Sequence, residues 1–155
     1  MEEPQDPYVP PKSDISIPLE KLGPDVKKVF SPAQGSLGSF FGGPLAGTYF
    51  VAMNFVALGA LRRARLTTIL GIVITAATLL TDFSLPNMIV GYSISAAFAI
   101  AAWLIIGRRQ FTKPQVVASR TLAFHSNWRV AGVALVGLLI IFILARALDH
   151  LLSHG

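Results

Sequence analysis

The residues with the most chemistry to offer lie along one line of an apolar segment: Gly71, Thr75, Thr78 and Asp82, at i, i+4, i+7 and i+11. On a helix these offsets share a face. Hydroxyls leading to a carboxylate would line a water-filled path for protons or small cations. Asp82 is the only acid between Asp25 and Asp149, and ionisable groups in apolar spans are costly enough to mark such work. The plainer alternative is that the threonines bond back to their own helix and Asp82 is a solvated acid beside the turn Phe83-Ser84-Leu85-Pro86-Asn87.

Asn54 is the other polar residue in an apolar run. It falls on the helical face of Gly43 and Gly47, and Gly35, Ser39, Gly43 and Gly47 recur every four residues. Such a stripe lets a second backbone approach closely, with the amide adding one interhelical bond of about 0.6 kcal/mol. Gly91, Ser95 and Ala99 repeat the pattern further on, so the two faces are expected to pack on each other. A substrate- or ion-contacting Asn54 is the functional alternative. His125 has no carboxylate or nucleophile beside it in its loop, and His150 and His154, although spaced i, i+4, sit at the end of the chain. With no cysteine, no paired carboxylates, no phosphate-binding glycine loop and no metalloprotease pattern, the reading is of a non-enzyme without metal or cofactor.

The elements that must position these residues are long apolar helices. Residues 31–61 carry no charge. Ser31 reads as an N-cap, Pro32 as the first helical residue, and Pro44 as a kink near Gly42-Gly43, because it cannot donate to the carbonyl of Phe40. Four spans are expected, at about 40–61, 66–85, 87–107 and 130–147, with a loop over 108–129. The fold class is therefore all-α, an integral membrane bundle with a proline-kinked first helix. Trp103, Trp128 and Arg129 read as interfacial anchors.

Composition agrees. The chain is 53% hydrophobic and only 14% charged, with mean hydropathy +0.61, where a soluble domain is about 25% charged. Its pI near 10 reflects basic residues flanking apolar spans rather than a nucleic-acid surface. Residues 1–30 are proline-rich and acidic, and read as a disordered tail. Arg62, Arg63, Arg65, Arg108, Arg109, Lys113, Arg120 and Arg129 occupy two loops on one side of four spans. The positive-inside rule puts those loops in the cytoplasm and both termini outside.

Several stretches together resemble a family of small four-span bacterial membrane proteins. They are Phe41-Gly42-Gly43-Pro44-Leu45-Ala46, Asn54-Phe55 with Ala57-Leu58-Gly59, Leu85-Pro86-Asn87, and Phe124-His125-Ser126-Asn127-Trp128-Arg129. The likeness covers about 30–144 and leaves the proline-rich tail unmatched; the family usually has glutamine where this chain has His125. It implies a multi-pass protein of a bacterial inner membrane and brings no activity with it. The expected partners are the lipid bilayer and either further copies or a larger membrane complex. The expected function is an accessory or scaffold subunit, with a small homo-oligomeric transporter or channel around Thr75, Thr78 and Asp82 as the alternative.

Overall fold

The computed structural model describes residues 26–84, 88–111, 113–119 and 121–154, the side chains of 82–84, 88–90 and 113 excepted. The chain is all-α, and four of its helical segments, the first of them interrupted at Gly43, are by residue count and composition long and apolar enough to cross a membrane. They are α1 (Pro32–Ala57), α2 (Leu61–Ser84), α3 (Met88–Ile105) continued by a π-helical turn (Ile106–Gln110), and, after the short α4 (Lys113–Ala118), α5 (Asn127–His154).

The first helix begins as expected and then departs from expectation. Ser31 Oγ accepts from the Gln34 N–H at 3.1 Å, while Gln34 Oε1 accepts from the Ser31 N–H at 3.0 Å and Pro32 takes the first helical position. This reciprocal cap satisfies two donors that a helix start leaves free. At Gly43 the backbone leaves the helix, with φ 69° and ψ −165°, a conformation essentially confined to glycine. Pro44 then serves as the first residue of a new helical run, where its missing N–H costs nothing. The result is a reversal. Phe30 and Asn54, 24 positions apart, are hydrogen-bonded at 2.7 Å, whereas a straight helix would hold them about 36 Å apart.

So α1 is a hairpin of two antiparallel limbs, 32–42 and 44–57, and the expected single rod over 40–61 is corrected on this point. Its second limb also stops earlier, at Ala57. Gly59 takes φ 76°, its N–H donates to the Val56 carbonyl at 2.9 Å, and the Ala60 N–H donates to that of Phe55 at 2.8 Å. That is the glycine-closed helix end that caps orphan carbonyls.

The hairpin is the core. The most apolar 18-residue stretch of α1 is 56% buried, against 17% for those of α2, α3 and α5, which pack around it and touch one another little. Glycine allows the closest approaches. A Cβ on Gly42 would lie 2.7 Å from Ala134 Cα, and one on Gly137 would lie 2.8 Å from the Gly42 carbonyl oxygen, so α5 runs backbone to backbone beside the first limb. Gly71 of α2 likewise receives Thr48 of the second limb.

At the open end of the hairpin, β1 (Lys27–Val29) pairs in parallel with β2 (Leu122–Phe124), Val29 opposite Phe124. The Lys27 N–H donates to the Thr121 carbonyl and the His125 N–H to that of Val29, both at 2.9 Å. Two corrections follow. The tail does not reach residue 30: Lys27–Val29 is a strand, and Val29 and Phe30 are fully buried. Nor does the N-terminal segment lie across the bundle from the loop 108–129, because the hairpin returns the chain to the end at which it began. Lys27, Lys28, Arg62, Arg63, Arg65, Arg108, Arg109 and Arg129 therefore cluster at one end of the molecule. Residues 1–25 lie outside the described residues.

Candidate functional site

Among the described residues the densest polar arrangement sits at the neck of the hairpin, where its limbs meet β1 and the turn after α3. Asn54 Oδ1 accepts from the Phe30 N–H at 2.7 Å, and Asn54 Nδ2 donates to the Phe30 carbonyl at 2.9 Å. One carboxamide thus pairs with both backbone groups of one residue, as a neighbouring strand would. Nδ2 also donates to Gln110 Oε1 at 2.9 Å, and Gln110 Nε2 donates to the Val51 carbonyl at 2.9 Å. The π-helical turn brings Gln110 into reach, an inserted residue of the kind that re-aims side chains at helix ends.

On the other side of Phe30, Gln34 Nε2 donates to the His125 carbonyl at 2.7 Å and to Asn127 Oδ1 at 2.8 Å. The His125 ring lies 4.3 Å from the Phe30 ring. Burial, followed by the charges of Arg129 and Lys28, pushes the His125 imidazole below its ordinary pKa of 6.5. Neutral imidazole against a phenyl ring suits this place; imidazolium among cations does not.

The hairpin tip gathers the second polar group. A cavity of about 110 Å³ is lined by Gly43 and Pro44, by Thr75 and Thr78 of α2, by Gly91 and Ser95 of α3, and by Leu138 and Ile141 of α5. Thr75 is buried, and its Oγ1 donates to the Gly71 carbonyl at 2.7 Å. Thr78 Oγ1 donates to the Ile74 carbonyl at 2.9 Å. Asp82 continues the same helix, and its side chain lies outside the described residues.

No protein-family model, curated protein or solved structure matches this chain. The stripe Gly35, Ser39, Gly43, Gly47 is divided among partners rather than offered to one. A Cβ on Gly47 would lie 2.7 Å from Ser39 Oγ, inside the hairpin, while Gly35 faces Ile106 and Gly43 faces Ile141. Ser39 is buried and donates to the Gly35 carbonyl. On α3, Ala99 is buried, Ser95 is half-buried, and Gly91 has open space where a side chain would be. Asn54 bonds to a strand end and a helical turn rather than to a parallel helix face.

Trp103 and Trp128 are exposed, 52% and 88%, and with Arg129 they mark the basic end. His150 and His154 stack with ring centroids 4.4 Å apart, and among the described residues no three metal-ligating side chains converge. Gln34, Gln110 and Phe30 are neck residues that were not among the site residues expected from the sequence. Only Gln34 carried a signal, the Ser31-x-x-Gln34 pattern of a capping box.

Proposed function

We propose that the chain is a non-enzymatic multi-pass protein of a bacterial inner membrane, an accessory or scaffold subunit that associates through its helix faces. In this reading α2, α3 and α5 cross the bilayer, while α1 enters and leaves by the same face. Limbs of about 16 and 21 Å reach the middle of a hydrocarbon core about 30 Å thick. Irregular backbone at that depth is tolerated only inside protein, and Gly42, Gly43 and Pro44 are buried. The positive-inside rule then puts the clustered basic end in the cytoplasm, together with the N-terminal tail, and the C-terminus outside.

One observation carries the accessory reading over a catalytic or transporting one. The buried polar side chains Ser39, Asn54 and Thr75 all bond to the protein's own backbone. Their chemistry is spent on holding the fold. Meanwhile α2 and α5 present Ile69, Ile72, Val73, Leu135, Leu139 and Phe142 outward, each at least half exposed, a surface for lipid or for partner helices. The test is the native mass of the gently solubilised protein, with identification of whatever accompanies it. A stoichiometric foreign partner is the expected result; a closed homo-oligomer with nothing else bound would overturn it.

The second reading, a small homo-oligomeric transporter or channel, is favoured by the tip cavity with its threonines and Ser95. It predicts that Asp82→Asn abolishes a proton- or cation-dependent flux while assembly persists.

A further inference from the structure

We infer that the groove between the second limb of the hairpin and α2 holds one anionic glycerophospholipid of the leaflet at the basic end; this rests on the membrane reading above. The groove has a volume of about 690 Å³ and is lined by Leu45, Tyr49, Met53, Val56, Ile69 and Arg65 among others. Its length follows the second limb from Leu45, next to the tip, to Val56, next to the neck. That is about 16 Å, close to half of a hydrocarbon core of about 30 Å. An acyl chain of one leaflet has this reach.

The walls are apolar along the depth of that leaflet, and the charge is at the mouth. Arg65 lies within the first turns of α2, with Arg62 three residues before it. Both are exposed. Arg65 lines the groove, and with Arg62 one turn before it sets two positive charges beside the mouth, to which a lipid phosphate is the complementary group. A zwitterionic lipid would carry its own cation to the same place and gain less.

The experiment is native mass spectrometry of the full chain released from nanodiscs containing equal amounts of phosphatidylcholine and phosphatidylglycerol. The expected result is about a fivefold preference for phosphatidylglycerol among retained lipids. Arg65→Gln should bring the ratio to that of the bulk, and Thr68→Phe, which fills the groove without touching its charge, should lower the number of lipids retained. Arg108→Gln, a cation of the same end away from the groove, should leave the preference intact. Equal retention of the two lipids by the parent chain overturns the inference, as does an equal loss of preference in Arg108→Gln and Arg65→Gln. A chain that fails to incorporate into nanodiscs at all would instead overturn the membrane reading on which the inference rests.

Discussion

The Asn54 carboxamide holds both backbone groups of Phe30, at 2.7 Å and 2.9 Å, across 24 residues of chain. This bond pair closes the hairpin at its neck. It lets buried backbone pass from strand β1 into helix α1 without an unpaired N–H or carbonyl, which would cost as much as a lost hydrogen bond.

Asn54→Ala should therefore strand two buried groups at once, the Phe30 N–H and the Phe30 carbonyl, and remove a donor from the half-buried Gln110 Oε1. The expected loss is about 1–3 kcal/mol per unsatisfied group, not all of it additive. It is read as a fall in melting temperature of the solubilised protein and faster tryptic cleavage after Lys27 and Lys28. Unchanged melting and cleavage would mean that the clamp contributes nothing.

Glycine at the tip is required by conformation and by space together. At φ 69°, with Ile141 Cδ1 only 2.7 Å from where a Cβ would stand, Gly43→Ala should destabilise by about 1–3 kcal/mol. Gly91→Ala, facing open space, should change little. Equal melting temperatures for the two variants would contradict the hairpin turn.

Sidedness gives a direct check on the path of the chain. The protein has no cysteine, so single cysteines report cleanly. Lys28→Cys and Arg63→Cys should label from the same side of the membrane, and Ser153→Cys from the other. Labelling of positions 28 and 63 from opposite sides would restore a single-pass first helix.

Acidification should loosen the neck. The folded pKa of His125 is depressed by burial and by the Arg129 and Lys28 charges, so below pH 6.5 the unfolded chain takes up more protons than the folded one. Stability is then held above the ordinary value of 6.5 and lost as pH falls through the depressed one. Melting temperature should decline from pH 7.5 to 5.5 in the parent chain and decline less in His125→Gln. A parallel decline in both would assign the effect elsewhere.

Much of this was legible in advance because membrane-type helices announce themselves by uninterrupted apolar length, and their ends by arginine, tryptophan and caps. The helices over Leu61–Ser84, Met88–Ile105 and Asn127–His154 contain the apolar runs that such signals mark. But α2 starts earlier than expected and takes in Arg62–Arg65, which read as a loop, and α5 runs past 147 to His154. The start of α1 at Ser31-Pro32 follows from such signals. Gly42-Gly43-Pro44 was legible as a break in the helix, but not in its angle. Proline removes one hydrogen bond whether the helix bends slightly or turns back, and local sequence does not distinguish the two.

What the sequence determined by itself is the helical class, the presence of the long apolar helices and the place at which the first one breaks, since these depend on neighbours along the chain. What only the tertiary structure decided is that the break is a reversal. Its energy comes from contacts between distant residues: Asn54 with Phe30, Gln110 with Val51, Gly42 with Ala134, and β1 with β2. That one reversal moves the N-terminal strand to the basic end and turns Asn54 from a helix-facing amide into the clasp of the hairpin. No periodicity records it, because each of those contacts joins residues too far apart in sequence for a helical or strand pattern to register.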